Sequence, residues 1–366
     1  MHTPESRPES KPENPTGRRR FMRNLAAAGV SAQALVQIGS VRAAVAEGKA
    51  HASLSKPGTW PEMAYRPLGR TGHNSSRLIF GCGAALSRKR RDELLNAAFD
   101  AGVNTFDVGY SGYYDDAEKN LAPFLRTHND KIFLISKAVV PTDVDPDETI
   151  TATAAKTAAT GWTKRLNASL EEMGVEHVDA YYLMASNNVS VITSDEIQKA
   201  FADAKAAGKV SHLGLSTHQN ASNVLAAASK IGTFSLAMIG ITPGGWYDWQ
   251  SKKVLPDSPP MRDLASELTT AREAGIGLVG MKAGRFLAGR LFAGWGNPDA
   301  FDEHYDESFM QAKLSEFQRS YAYVLEHGLD AVNADMQTLA HLKENFVAAA
   351  TSSYYFNTND TKSLPS

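Results

Sequence analysis

From about residue 88 onward the chain alternates between two hydrophobic rhythms. Segments with apolar residues at helical spacing predict amphipathic helices, and the short, nearly unbroken apolar runs between them predict strands covered on both faces. Helix 88–101 precedes the run VNTFDV, helix 116–126 precedes KIFLISK, and a long helix near 149–173 precedes VDAYYLM. Helix 194–207 precedes VSHLGLS, 219–230 precedes FSLAMIGI, 261–274 precedes IGLVGMK, 308–326 precedes LDAVNA, and a closing helix covers 338–350. Ahead of them, AYRPLGRTGHNSSRLIFGCG predicts a short hairpin turning at Thr71-Gly72-His73-Asn74 and then a buried strand, RLIFG.

Counting RLIFG, this gives eight strands alternating with helices. Parallel strands need helical crossovers, and eight of them favour closure, so the expected fold class is α/β: a (β/α)8 TIM barrel with an N-terminal β-hairpin. An open doubly wound sheet is the alternative. No G-x-G-x-x-G follows an early strand, which weighs against a dinucleotide-binding version of it. In a barrel the working residues are expected where strands end at their carboxyl side.

The first residues follow neither rhythm. Residues 1–16 are rich in Pro, Glu and Ser, and they lead into Arg18, Arg19, Arg20, Phe21, Met22 and Arg23. This run resembles the twin-arginine export motif. The apolar segment from about Leu25 to Val41 is too short and too polar to stay in a membrane, which takes roughly 20 strongly apolar residues. Ala44-Val45-Ala46 offers an A-x-A site with cleavage before Glu47. The expected organisation is a twin-arginine signal peptide over 1–46, a linker over 47–62, a barrel over 63–350 and a tail over 351–366. The resemblance implies engagement with the twin-arginine export machinery, export of an already folded protein to the periplasm, and no stable membrane span after cleavage.

Composition narrows the ligand. With 38 basic and 40 acidic residues, a formal charge of −2 gives no field to attract nucleic acid, so a small molecule is expected. The single cysteine, Cys82, lies in the apolar run RLIFGCGAAL and reads as a buried structural thiol rather than a nucleophile. His212 and His218 join no set of ligands at metal-binding spacing, so no metal site is expected.

Several segments, in order from about Tyr65 to Asn345, resemble the aldo-keto reductase family. GVNTFDV is similar to the family's "GIN-x-FDT" strand and IFLISK to "VFIATK". SLEEMGVEHVDAYYL is similar to "SL-x-x-LG-x-x-YIDLYLL", KAAGKVSHLGLS to "K-x-x-GKIR-x-IGVS", and LAHLKENFVAA to the closing "L-x-x-N-x-x-A". The resemblance implies a nicotinamide-dependent reduction of a small carbonyl substrate by an Asp, Tyr, Lys and His tetrad. Asp107 and Lys137 fall on the Asp and the Lys, ending neighbouring strands about 4.8 Å apart, where carboxylate and ammonium can pair. Their implied role is to hold a tyrosine hydroxyl and tune its pKa from about 10.

The tyrosine's expected position, five residues after the Asp, is Gly112. Among Tyr110, Tyr113 and Tyr114, the similarity of YDDAEKNLAPFL to "YGDAEERLGPFL" selects Tyr114, with Tyr113 second. Met184 stands where the family has its histidine, and a thioether cannot orient a carbonyl. Ser186 or Asn187 in the same loop offers a substitute hydrogen bond.

On the cofactor side, Ser216 matches the family's Ser, but Thr217 replaces an amide-bearing Asn. Asp335 and Gln337 stand where a glycine and a cation are usual, before Thr338 at the start of the last helix. Asn345 matches the adenine-side Asn, and Lys282 is a candidate diphosphate contact. The cofactor is NADP or NAD, with the preference open. The alternative is a non-catalytic or cofactor-free barrel binding a small molecule or partner in the periplasm. Long loops at 138–148, 242–260 and 284–307 would wall the pocket. Trp246, Tyr247 and Trp249 could stack on a ring or pack beneath a loop.

Overall fold

The computed structural model describes residues 60–142, 144–288 and 296–352. The twin-arginine segment, its cleavage site, most of the linker and the tail beyond 352 lie outside the described residues.

Strands β1 (Tyr65–Pro67) and β2 (Asn74–Ser76) pair antiparallel. The barrel follows: β3 (Leu78–Gly81), β4 (Thr105–Asp107), β5 (Phe133–Val139), β6 (Val178–Met184), β7 (Val210–Thr217) and β8 (Phe234–Thr242). After β8 the chain doubles back as a ribbon, β9 (Gly245–Asp248) and β10 (Lys253–Val254), before β11 (Gly277–Met281) and β12 (Ala331–Asp335) complete the circle. The eight barrel strands are parallel, and β8 pairs with both β7 and β11 while β12 returns to β3, which closes the sheet. Hence the fold is a (β/α)8 barrel.

Among the described residues the longer helices between and after the barrel strands are α1 (Asp92–Asp100), α2 (Ala117–His128), α3 (Ala152–Met173), α4 (Asp195–Ala206), α5 (Ala221–Ile231), α6 (Ala265–Glu273), α7 (Glu316–Glu326) and α8 (Leu339–Thr351). The starts of α3, α4 and α8 are set by side chains that accept an otherwise orphaned amide: Thr151 from Ala154, Ser194 from Ile197 and Thr338 from His341.

Three expectations are corrected. The helix expected over 308–326 is two pieces, Glu307–Gln311 and α7, because Ser315 and Gln318 form a capping box that starts a new helix. The hairpin turns earlier than Thr71, through a 3-10 turn at Gly69–Thr71 with β2 already under way at Asn74. The 242–260 loop contains the β9–β10 ribbon.

The core divides by strand face. Outward residues pack under the helices, whereas Leu68, Ile79, Ile135, Tyr182, Leu236, Met238 and Val279 form a separate cluster inside the barrel. Leu68 comes from the hairpin, and Arg70 beside it donates to the carbonyls of Gly232, Ala274 and Gly275. The hairpin therefore plugs the amino-terminal end, and the opening lies at the other. No helix of the described residues is long and apolar enough to cross a membrane.

Candidate active site

Inward-facing positions turn polar as the strands approach their carboxyl ends. Asp107 ends β4 and Lys137 lies near the end of β5; both side chains are almost completely buried, with Lys137 Nζ 2.5 Å from Asp107 Oδ2. Lys137 also donates to the Val108 carbonyl at 2.7 Å. Asn333, inward on β12, donates to the same Asp107 oxygen at 2.6 Å. Burial pushes the Asp107 carboxyl up, while Lys137 and Asn333 pull it back by favouring the charged form.

Tyr114 closes a single helical turn after β4, and its ring occupies a slot that only glycines permit. A Cβ at Gly83 would lie 2.5 Å from the ring, and one at Gly109 2.8 Å from it. The Lys137 ammonium stands 5.5 Å from the ring centre. Burial, then Tyr113, Asp107 and Asp335, raise the Tyr114 hydroxyl well above its usual pKa, so it is a neutral phenol throughout the physiological range. The implied downward tuning by Lys137 is not seen here, since every cause of the shift raises it. Tyr113 packs edge-on against Tyr114, its hydroxyl pushed to about 12, and Tyr110 lies under the Arg165 guanidinium. Cys82, immediately after β3, is fully buried, and its thiol is raised well above the ordinary range by desolvation.

Across the opening the picture changes. Met184 ends β6 and is buried. The next loop is tied to the loop after β7: Asn187 Oδ1 accepts from Thr217 Oγ1 at 2.8 Å and from the His218 amide at 3.0 Å, and its amide donates to Gln219. Ser216 Oγ accepts from the Ala185 amide, and Ser186 Oγ donates to the Leu183 carbonyl. Ser186, Asn187, Ser216 and Thr217 are thus engaged in holding two loops together.

His218 follows β7, 9% exposed, with its Nε2 buried and without a partner among the described residues. Burial, Lys282 and Lys252 push its pKa well below 6.5, leaving it neutral. Beside it lies Trp249, with Lys252 Nζ 3.0 Å and Lys282 Nζ 4.4 Å from its ring centre. Trp246 and Tyr247 are buried beneath. Ala185, Lys252 and Lys282 all hold left-handed backbone, a strained choice for residues with a side chain that tends to mark functional loops.

A nicotinamide nucleotide requires an anion site for its phosphates. The start of α8 offers one, since a helix N-terminus has unpartnered amides and a favourable dipole. Thr338 caps it, and Arg91 Nη1 reaches the Gln337 carbonyl at 2.6 Å, placing a guanidinium beside it. Asp335 opposes an anion here, although desolvation raises its carboxyl to about 6 against the pull of Lys282, Gln337 and the Ala85 amide. Asn345 is buried on α8. The residues present therefore fit an anion such as a nucleotide phosphate at this end, with the Arg91 guanidinium beside Gln337.

Sequence reasoning passed over Arg91, Asn333 and Lys252. Asn333 was findable as the inward β12 position two before Asp335; Arg91 and Lys252 reach the opening from loops with no readable pattern. Among the described residues no group of three His, Cys, Asp or Glu could hold a metal ion.

No curated protein matches the chain. Two solved structures of candidate aldo-keto reductases from Pseudomonas aeruginosa share the fold at 18% identity: one has a TM-score of 0.56, covering 80% of this chain and 98% of that one, and the other 0.55, covering 80% and 97%. Residues 77–240, the stretch from the start of the barrel into β8 that carries Asp107, Tyr114, Lys137, Met184, Ser216 and Thr217, match the model of the Aldo/keto reductase family.

Proposed function

We propose that the protein is a nicotinamide-dependent oxidoreductase of the aldo-keto reductase type, reducing an aldehyde or ketone. The observation that carries this reading is the buried Asp107–Lys137 pair beside Tyr114, whose ring is held between Gly83 and Gly109. Arg91, Thr338 and the start of α8 would hold a nicotinamide nucleotide, which would supply the hydride. Tyr114, neutral at physiological pH, donates its proton to the carbonyl oxygen. Asp107, itself fixed by Asn333, holds the Lys137 side chain in place beside the Tyr114 ring. Met184 supplies no hydrogen bond, so carbonyl orientation falls to other groups and turnover is expected to be slow.

Titration with NADH and NADPH, followed by nicotinamide fluorescence and then aldehyde reduction, tests this. Both nucleotides are expected to bind within about tenfold of each other, or 1.4 kcal/mol, because Arg91 and Asp335 act oppositely on a 2′-phosphate. Tyr114→Phe should lower reduction by about 10² to 10⁴ without weakening the nucleotide. A second reading, a binding protein without turnover, is favoured by the engagement of Ser216 and Thr217 in loop bonds. Absence of nucleotide binding would select it.

We also infer export by the twin-arginine route, from Arg18, Arg19 and the A-x-A site ahead of Glu47. Replacing both arginines by lysine should leave unprocessed protein in the cytoplasm; unchanged periplasmic recovery would reject the route.

A further inference from the structure

At the rim opposite Tyr114, Lys252 and Lys282 converge on one indole, 3.0 and 4.4 Å from the Trp249 ring centre. They come from different places: Lys252 from the turn of the β9–β10 ribbon, Lys282 from the end of β11. Two ammonium groups gathered over one ring repel each other, and neither has a carboxylate within ion-pair reach among the described residues. The nearest acidic side chains are already in use. Asp248 accepts the backbone amides of Gln250 and Ser251, and Asp335 accepts from Gln337 and the Ala85 amide.

Such convergence is unfavourable in the absence of an anion, and the local chain is strained to produce it. Both lysines hold left-handed backbone, with φ of 62° and 72°. An independent observation points the same way. His218, 9% exposed, packs 5.8 Å from Trp249 and has a buried Nε2 with no partner among the described residues. A neutral imidazole there can donate one N–H to an oxyanion. Burial, and after it the neighbouring cations (Lys282 and Arg285 at Lys252, Arg285 at Lys282), depress both lysines, Lys252 to about 7 and Lys282 to about 8.

The cluster borders the reaction centre. Lys282 lies close enough to Asp107 and Lys137 to feel both charges. It is built from β7, the ribbon and β11, whereas Arg91 and Thr338 serve the start of α8. We propose that Lys252, Lys282 and His218, grouped around Trp249, bind an oxyanion on the substrate, so that the preferred substrate is a carbonyl compound bearing a carboxylate or similar anionic group. This rests on the reductase reading for the word substrate, but the site itself does not.

The full chain, free of nucleotide, is titrated with para-carboxybenzaldehyde and with its methyl ester, following tryptophan fluorescence and checking by calorimetry. The acid is expected to bind at least about tenfold more tightly than the ester. Lys252→Met and Lys282→Met should each remove that preference, and Lys252→Arg should keep it. Equal binding of acid and ester by the folded wild-type protein overturns the proposal, whatever happens to reduction. Inorganic pyrophosphate and NADH form the second arm. If both displace the acid and Lys252→Met weakens NADH as much as the acid, the cluster serves the nucleotide's phosphates and the assignment to substrate fails. Retained acid preference without any aldehyde reduction would instead count against the reductase reading alone.

Discussion

The two sides of the barrel opening are built on opposite electrostatic plans. On the β4–β5–β12 side, each buried charge has its complement: Lys137 on Asp107, and Asn333 on the same carboxylate. On the β7–β8–β11 side, among the described residues, Lys252 and Lys282 share an indole with no ion pair, beside a histidine whose Nε2 is unpartnered. Burial of a charge is tolerated when it is paired and hydrogen-bonded, and is unfavourable otherwise. The two sides therefore differ in ion pairing, although the first also leaves Asp107 Oδ1 and Asn333 Oδ1 buried without a hydrogen-bond partner among the described residues. The family match stops at residue 240, so the ribbon and β11 of the second side lie beyond it.

The comparison can be tested most forcefully at Met184. If the missing imidazole limits reduction, Met184→His should raise aldehyde turnover by about 10² to 10⁴, and adding Tyr114→Phe should abolish the gain. A folded, nucleotide-binding Met184→His protein with unchanged turnover would place the bottleneck elsewhere. Next in size is Lys137→Met, which leaves the Asp107 carboxylate buried without its cation and should cost about 3–5 kcal/mol in a denaturant melt. Lys282→Met, on the other side, should leave stability unchanged or raise it. Equal losses from the two substitutions would erase the contrast drawn between the sides.

Glu118 tests how firmly the paired side is backed. It lies on α2 behind β5, 1% exposed, accepting from Ser136 Oγ at 2.6 Å one residue before Lys137. Burial raises its pKa from 4.5 to about 7. Because the folded value lies above the unfolded one, its stabilisation is complete below about 4.5 and is lost as pH rises through about 7. Across that window the protein should lose up to about 3 kcal/mol, and Glu118→Gln should flatten the loss. A melt series in which wild type and variant fall in parallel would remove Glu118 as the cause. The smallest effect is expected of Gly83→Ala, whose methyl would press on Tyr114: about 1–3 kcal/mol of overpacking, with reduction falling by more than stability explains. Unaltered turnover would mean that the slot does not position the phenol.

Strand order and the paired side were largely legible along the chain. Asp107, Lys137 and Tyr114 sit in or just after apolar strand runs, and the resemblance of those runs to segments of the aldo-keto reductase family is what singled them out. The split between Glu307–Gln311 and α7 was less visible, because the apolar periodicity runs through both pieces and only the Ser315–Gln318 capping box interrupts it. Thr217 and Asn187 were named as separate candidates, yet their bond to each other depends on how two loops meet.

What the sequence by itself determined is therefore the alternation of strands and helices that makes the barrel, and the hairpin ahead of it, since these follow from local periodicity and turn chemistry. The tertiary structure alone decided that Arg91 stands by the start of α8, that Asn333 shares Asp107 with Lys137, and that Lys252 meets Lys282 over Trp249. Those meetings join residues 30 to more than 200 positions apart, across loops whose conformation no repeating pattern specifies. Electrostatic energy depends on distance in space, and closing the barrel is what sets those distances.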